Sequence, residues 1–553
     1  MLSLSNYCPL PAKYLFTLAL TFLLLSLSAC GASEADIDAR PANNTNNQTN
    51  TLQTDGESAV VEITRVVTEI EAVEVEGEPV MDMDSSDIAE TEENSWNAPT
   101  TTDMNFEQLP TNPFVNTKED NLSTFAIDVD TGSYTIMRRF VTDSALPSPQ
   151  SVRTEEYVNY FNYNYPLPDQ SEAFAIHIDG ATTPYNSSEN HRLVRVGIQG
   201  YDVAPEDRPD ALLIFVIDIS GSMGSDDRLG QVKRSLLTLV DNLRPTDQIG
   251  IVTYGSNASV HLEPTLAVSD RTIKNAINRL STNGSTNADE GIRIAYQLAA
   301  QYGQPGNINR LILCSDGAAN VGPTTAEAIL ENAQNGISLS TFGFGMGGYN
   351  DHLMEQLANQ GDGSYAYIDS PDAAERVFGH DLTATLFTIA KDAKIQVEFN
   401  TDVVAQYRLL GYENRDVADS DFRNDAVDAG EIGAGHSVTA LYEIELLPDA
   451  NPNTAALTVR VRYADPNTEE VNEIAQAAAA RDFTADFTTT SPSFQLAAAV
   501  AEFAELMRRS PFATDNNLDT LATDARRIAN LLNTDPDAQE FAGLVAQAAK
   551  LQQ

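Results

Sequence analysis

The sequence predicts an α/β fold, a doubly wound and mainly parallel sheet over residues 210–382, with flanking β-rich and α-helical regions. Residues 212–217 are continuously apolar, as expected of a strand buried on both faces of a parallel sheet. Segments of strand length then alternate with segments of helical periodicity. Polar residues follow directly after two of these strands, at the sheet edge where α/β folds bind ligands.

In the central region the apolar pattern predicts strands at 212–219, 248–254, 310–315, 338–344 and 364–368. The helical pattern predicts helices at 228–242, 271–280, 288–301, 326–335, 351–360 and 372–382. The spacing of apolar residues changes from a period of two in the strand segments to about 3.6 in the helical segments, which is typical of repeated strand–helix units.

The flanking regions have a different pattern. Upstream, the sequence predicts strands at 123–130, 174–178 and 193–199 and helices at 134–142 and 152–161. Downstream, alternating segments predict a small β-sandwich or sheet with strands at 394–399, 406–410, 437–446 and 455–463. Helices follow at 494–508, 518–532 and 538–551; apolar residues at helical spacing in the first of these indicate core packing.

A chain of 553 residues is too long for one core, and its composition divides it into segments. These are a lipoprotein signal peptide (1–30), a disordered acidic tether (31–121), an N-terminal region (122–209), the α/β domain (210–382), a β-rich domain (390–490) and a helical C-terminal region (491–553). Residues 60–76 of the tether alternate Val or Ile with Thr or Glu. We interpret them as extended linker, with a lone strand or a partner-docking segment as alternatives.

Acidic residues outnumber basic residues 80 to 33, which gives a formal net charge of −47. Nucleic acid is therefore excluded as a partner, because phosphate binding needs a basic face. The three cysteines are Cys8, Cys30 and Cys314. Cys314 falls in an apolar strand pattern and is expected to be a small core residue, so neither a disulfide framework nor a cysteine metal site is predicted.

The N-terminal apolar run, residues 15–27, is too short to span a bilayer and has the length of a signal-peptide core. Leu27-Ser28-Ala29-Cys30 follows it and resembles the lipobox of bacterial lipoproteins. That resemblance implies cleavage before Cys30, lipidation of its thiol (palmitate among the acyl chains) and extracytoplasmic anchoring to a bacterial membrane. An ordinary cleaved signal peptide is the alternative. Contact with the membrane is expected through the lipid anchor only.

Hard oxygen donors occur at three places in the α/β domain. Asp218, Ser220 and Ser222 follow the first strand, Thr286 precedes a helix, and Asp316 follows the strand at 310–315. Carboxylate and hydroxyl oxygens in this density suit Mg²⁺. The order Asp-x-Ser-x-Ser, Thr, Asp-Gly resembles the metal-ion-dependent adhesion site (MIDAS) of the von Willebrand factor A domain. Ser285 is the second choice for the third element.

This resemblance implies that Ser220, Ser222 and Thr286 supply hydroxyl oxygens, directly or through water, while Asp218 and Asp316 bind the ion or orient its waters. A divalent cation is implied, Mg²⁺ first, with Mn²⁺ or Ca²⁺ as alternatives. In the family, a Glu or Asp of a partner protein can complete the octahedron. The segments 123–134 and 153–166 also resemble the region that precedes the A domain in a family of bacterial A-domain lipoproteins, and the C-terminal part resembles the domain that follows it there.

Enzyme motifs are weak in this sequence. Gly343-x-Gly345-x-x-Gly348 matches a dinucleotide fingerprint but follows a late strand instead of opening a βαβ unit. Asp128-x-Asp130 lacks the glutamate that an EF-hand requires, so these carboxylates are interpreted as structural. We expect a non-enzymatic envelope lipoprotein that binds a protein or another envelope ligand through its cation. A metal-insensitive scaffold for an envelope complex is the alternative, and a hydrolase is the third hypothesis.

Overall fold

The computed structural model describes residues 104, 106, 109–169, 172–185, 190–317, 325–330, 336–346, 349–427, 429–513 and 516–552. All of them fall within one structural unit, Glu92–Gln553. Cys30, the lipobox and the tether segment 60–76 lie outside the described residues, so the predictions made for them stay predictions. The predicted end of the tether at residue 121 is wrong, because residues 115–116 form a strand that pairs with residues 406–407 and Thr117 is buried.

The strands in chain order are β1 (Val115–Asn116), β2 (Leu122–Ala126), β3 (Phe174–Thr182), β4 (His191–Gly200), β5 (Ala211–Asp218), β6 (Gln248–Tyr254), β7 (Ala258–Leu266), β8 (Ile308–Ser315), β9 (Ser338–Gly343), β10 (Tyr365–Tyr367), β11 (Thr388–Phe399), β12 (Val404–Leu410), β13 (Gly430–Gly433), β14 (Ser437–Leu446), β15 (Ala455–Ala464) and β16 (Val471–Ala479).

The helices are α1 (Gly132–Thr142), α2 (Thr154–Asn159), α3 (Gln231–Asn242), α4 (Asp270–Arg279), α5 (Ala288–Tyr302), α6 (Ala326–Ile329), α7 (Asp351–Asn359), α8 (Pro371–Glu375), α9 (Leu382–Leu386), α10 (Pro492–Met507), α11 (Leu518–Leu531) and α12 (Pro536–Leu551).

The central sheet has the strand order β10-β9-β8-β5-β6-β7. Neighbouring strands are parallel except at one edge, where β7 runs antiparallel to β6. Helices separate the parallel strands along the chain, so the predicted α/β fold with a mainly parallel sheet is confirmed. The sequence analysis missed β7, whose residues are half-buried or exposed and lack a clean alternation.

Strand β5 is buried along its whole length, as its unbroken apolar run predicts. Because side chains alternate between the two faces of a strand, Leu212, Ile214 and Val216 enter one hydrophobic core while Leu213 and Ile217 enter another. Both cores are closed by helices, which fixes β5 at the centre of the domain. The polar turn that follows Asp218 therefore leaves the sheet from a rigid position.

The regions on either side of the α/β domain share two further sheets. One has the order β1-β12-β14-β4-β3, and the other has the order β13-β11-β15-β16 with β2 also paired to β11. Residues 122–209 and 390–490, which we treated as separate in the sequence, thus contribute strands to the same sheets. The pairing of β2 with β11 joins residues that are far apart in the chain, such as Phe125 and Ile395.

The C-terminal helices pack against the N-terminal ones. Helix α10 is buried on nearly all sides, and its Phe503 lies in one hydrophobic cluster with Tyr157 of α2 and Phe541 of α12. The core-packing role predicted for residues 494–508 is confirmed. In the described part of the chain, we find no helix with both the length and the apolar character needed to cross a membrane.

Candidate metal centre

The two aspartates predicted as metal ligands lie at the same edge of the central sheet. Asp218 ends β5 and Asp316 follows β8, and these strands are parallel neighbours with Ile217 opposite Cys314. Both carboxylates are buried, with 0% and 2% of each residue exposed. The parallel register therefore brings Asp218 and Asp316 together, as the sequence analysis expects. Cys314 is buried beside them, as predicted.

The turn after β5 places the two serines next to each other. The backbone N–H of Ser220 donates to Asp218 Oδ1 at 2.7 Å, and the Oγ atoms of Ser220 and Ser222 are 2.9 Å apart. Ser220 is buried, whereas Ser222 is exposed. A 3₁₀ turn over Gly221–Gly224 and a π-helical turn over Asp226–Gly230 then lead into α3. Asp218, Ser220 and Ser222 thus form one contiguous oxygen-rich surface that reaches solvent at Ser222.

The loop before α5 reaches this turn through its backbone. The N–H of Asn283 donates to the carbonyl of Ile219 at 2.5 Å, and the N–H of Gly221 donates to the carbonyl of Gly284 at 3.0 Å. Thr286, two residues further on, is buried. Among the described contacts, no hydrogen bond joins the Thr286 side chain to the other four predicted ligands.

Ser285, the second choice for the third element, is directed elsewhere. It is exposed, its N–H donates to Ser256 Oγ at 3.1 Å, and the two serine hydroxyls are 3.4 Å apart. Thr286 is therefore the better candidate of the two, because it is buried, whereas Ser285 is exposed and contacts Ser256.

Arg228 is a residue of this site that the sequence analysis missed. Its Nη1 donates to Asp316 Oδ2 at 2.9 Å and to the carbonyl of Ser222 at 2.8 Å, while Nη2 donates to the carbonyl of Met346. Gly345 has φ of +78°, and a Cβ there would lie 2.3 Å from Arg228 Cγ, so only glycine lets the arginine side chain pass. Nothing in the sequence around Arg228, ten positions after Asp218, indicates that it contacts Asp316.

Burial dominates the electrostatics of Asp218. The pKa of this carboxyl is raised to about 6, mainly by burial and in part by the nearby Asp316, while hydrogen bonds from Ser220 and Ser315 oppose the shift. Ser315 Oγ donates to Asp218 Oδ2 at 3.3 Å. A carboxylate whose charged form is disfavoured by burial gains from a nearby cation. The donor set contains only oxygen, so these residues fit a hard divalent ion.

A second group of carboxylates lies away from this edge. Oxygens of Asp128, Glu156 and Glu355 all lie within 4.8 Å of one another, and the three residues are buried. Arg415 Nε donates to Asp128 Oδ2 at 2.9 Å, and Arg153 donates to Glu156. Arginines thus pair with these carboxylates, and the structural role of Asp128 stays a prediction.

The glycine motif at residues 343–348 lies between β9 and α7. Because the parallel strand β10 follows α7, the expectation that the motif does not open a βαβ unit is wrong. Gly345 packs against Arg228, which gives this glycine a role in packing, and Gly348 lies outside the described residues.

Comparison with known families matches three parts of the chain. The model for the von Willebrand factor type A domain matches residues 213–379, the model for von Willebrand factor matches residues 100–195, and the model for uncharacterized protein YfbK, C-terminal, matches residues 384–551.

Similar proteins include the uncharacterized protein YfbK of Escherichia coli (strain K12), 40% identical over 374 residues, which are 66% of this chain and 64% of that protein. The chain thus spans less than two thirds of this relative's length. Inter-alpha-trypsin inhibitor heavy chain H3 of Homo sapiens is 26% identical over 277 residues, 45% of this chain and 30% of that protein. The solved structure of von Willebrand factor type A from Catenulispora acidiphila covers 68% of this chain and 90% of its own, with 16% identity and a TM-score of 0.40.

The family matches and the central sheet identify the same segment independently, and the predicted resemblance to the von Willebrand factor type A domain is confirmed. The chain therefore carries a von Willebrand factor type A domain, followed by a C-terminal domain of the family described as uncharacterized protein YfbK, C-terminal.

Proposed function

We propose that this protein is a lipid-anchored, extracytoplasmic binding protein of a bacterial envelope that captures a protein ligand through a divalent cation. The observation that carries the proposal is the convergence of Asp218, Ser220, Ser222 and Asp316 at one sheet edge, with the Thr286 loop bonded to the same turn. Type A domains mediate protein interactions and commonly bind divalent cations, which supports this assignment at the level of the family.

Each residue would have a defined task in ion binding. Ser220 and Ser222 would present their adjacent hydroxyl oxygens, and Thr286 would add a third. Asp218 and Asp316 would balance the positive charge, directly or through water. The bound ion would supply a coordination position for an acidic group of the partner. The net charge of −47 would repel an acidic partner at long range, so the attraction has to be local to the ion.

One observation favours the alternative, a metal-insensitive scaffold. The guanidinium of Arg228 already contacts Asp316 Oδ2 at 2.9 Å, so an internal cation neutralises one of the two carboxylates. In a scaffold, Arg228 would keep the edge folded without any ion. The two functions differ in whether partner capture requires a divalent cation.

The central test is Asp218→Ala in the full chain. We expect Mg²⁺ or Mn²⁺ binding, measured by isothermal titration calorimetry, to weaken by at least about 100-fold, because the buried carboxylate at the centre of the donor set is lost. The matched control is Ser285→Ala, which removes an exposed hydroxyl next to Thr286 in the loop before α5 and should leave the affinity unchanged. Unaltered ion binding by Asp218→Ala, or a wild type that binds neither ion, would favour the scaffold.

Arg228→Gln tests the electrostatic environment of the site. Removing the guanidinium takes a positive charge away from the immediate vicinity of Asp316, so we expect the cation affinity to rise by about tenfold. Arg228→Lys retains the charge and should stay close to the wild-type affinity. If Arg228→Gln instead binds the ion more weakly, the arginine orients Asp316 for binding, and its charge is of secondary importance.

A further inference from the structure

A cavity of about 580 Å³ opens where the parallel strands of the central sheet begin, at the opposite ends of these strands from the candidate metal centre. Its walls come from the start of β8 and β9, from the segment at 386–391 that enters β11, and from the turn at 466–467 between β15 and β16. The cavity thus lies between the type A domain and the C-terminal β-sheet. Its volume is within the range of small-molecule binding sites.

Arg310 of β8 lines this cavity and has no acidic ion-pair partner in the part of the chain that the structure describes. Six arginines of the described part are buried, and five of them form ion pairs with carboxylates: Arg138, Arg153, Arg195, Arg208 and Arg408. Arg310 is 4% exposed, yet no described carboxylate lies within ion-pair distance of it. A buried charge without a counter-ion is costly.

The hydrogen bonds of Arg310 reach only neutral groups. Nη1 donates to Ser340 Oγ at 2.8 Å and Nη2 donates to Thr388 Oγ1 at 3.4 Å, while Nε–H has no partner in the described structure. Burial lowers the pKa of Arg310 to about 10, and the more distant Glu431 and Asp362 offset this only in part. One edge of the guanidinium is therefore left for an additional acceptor.

A second cation stands at the same cavity. Lys391 Nζ is 3.2 Å from Asp362 Oδ2, and both side chains are partly exposed, at 38% and 49%. The charged side chains that line the cavity are thus Arg310, Lys391 and Asp362, which leaves one positive charge in excess. This excess is unusual in a chain with 80 acidic and 33 basic residues, since acidic residues were abundantly available to neutralise it.

We propose that this cavity binds a small anion, through a carboxylate or phosphate group that accepts hydrogen bonds from Arg310 with Lys391 at the rim. Arginine is suited to this role because its planar fork donates two parallel hydrogen bonds to either group. Since the walls come from the type A domain and the C-terminal sheet, a bound anion contacts both. This site is independent of the proposed cation site, from which it is separated by the length of the strands.

The experiment titrates the full chain with inorganic phosphate and, separately, with succinate, by calorimetry and by thermal shift. We expect millimolar or tighter binding of at least one probe. Arg310→Gln should weaken that binding at least tenfold, and Lys391→Ala should weaken it several-fold. Arg423→Gln, which changes an exposed arginine elsewhere, is the control. Preference for phosphate or for succinate identifies which anion chemistry the cavity takes.

Two outcomes would overturn the proposal. In the first, neither phosphate nor succinate binds the wild type at millimolar concentration. In the second, Arg310→Gln and Lys391→Ala both bind the probe with the wild-type affinity. Arg310→Gln leaves no buried charge unpaired, and Lys391 is partly exposed, so both variants should fold. Asp218→Ala should retain anion binding, which separates failure of this site from failure of the cation site.

Discussion

Replacing Arg415 by Met is expected to lower the free energy of unfolding by about 3–5 kcal/mol. Arg415 Nε donates to Asp128 Oδ2 at 2.9 Å, and Nη2 contacts Asp130 Oδ2 at 3.2 Å and Glu355 Oε1 at 3.4 Å. All three carboxylates are buried, so removal of the cation takes away the arginine that pairs with Asp128 and Asp130 and leaves Glu355 with Arg153 at 3.5 Å. Urea denaturation of the full chain measures the change.

The size of this effect follows from where Arg415 lies. It comes from the loop after β12, Asp128 and Asp130 lie between β2 and α1, and Glu355 belongs to α7 of the type A domain. One guanidinium therefore joins three parts of the chain that are distant in sequence. We expect the type A domain and the shared sheets to unfold less cooperatively in the variant, with two separated transitions.

The matched control is Arg423→Met. Arg423 also pairs with a carboxylate, Glu473, at 2.7 Å, but its side chain is 60% exposed. An exposed pair contributes little to stability because water solvates both charges. If Arg415→Met lowers the free energy of unfolding by less than about 1 kcal/mol, Arg153 by itself is sufficient to balance the charge of the carboxylates.

The parallel strands of the central sheet were predictable from the sequence, whereas β7 was not. The apolar run of β5 predicts a buried strand, and in a parallel sheet the residues that follow β5 and β8 lie at the same edge. The grouping of Asp218, Ser220 and Asp316 into one site came from the resemblance to the adhesion site. The turn at Asp218 is also held by contacts between residues close in sequence, such as the hydrogen bond from Ser220 N–H to the Asp218 carboxylate two residues earlier.

Long-range pairings were beyond sequence reasoning. Arg228 reaches Asp316 across 88 residues, and Arg415 reaches Asp128 across 287. Nothing near an arginine in the chain indicates which carboxylate it will neutralise. Strand β16 was missed for a related reason: its end is rich in alanine, the best helix former, but pairing with β15 overrides that preference.

Glu155→Gln is expected to stabilise the protein by about 3 kcal/mol above pH 7 and to have no effect below about pH 4.5. Glu155 lies in α2 and is 1% exposed. Burial raises the pKa of its carboxyl from 4.5 to about 7, with Glu413 and Asp128 adding to the shift. Glutamine has nearly the same shape and stays neutral at every pH.

The sign follows from proton binding. Between pH 4.5 and 7 the folded protein holds a proton on Glu155 that the unfolded chain has released, so stability falls as the pH rises through this window. Above pH 7 the wild type bears the full cost of a buried charge beside Glu413 and Asp128, whereas the glutamine variant does not.

Urea denaturation from pH 4.5 to 8.5 would resolve this difference. Wild type should lose stability progressively, and Glu155→Gln should follow a shallower curve. Some slope should remain in the variant, because burial also raises the pKa of Glu156 to about 8. Glu119→Gln, at an exposed position, should reproduce the wild-type curve. Parallel curves for wild type and Glu155→Gln would mean that Glu155 is ionised in the folded protein throughout this range, with its charge balanced by the arginines around Asp128.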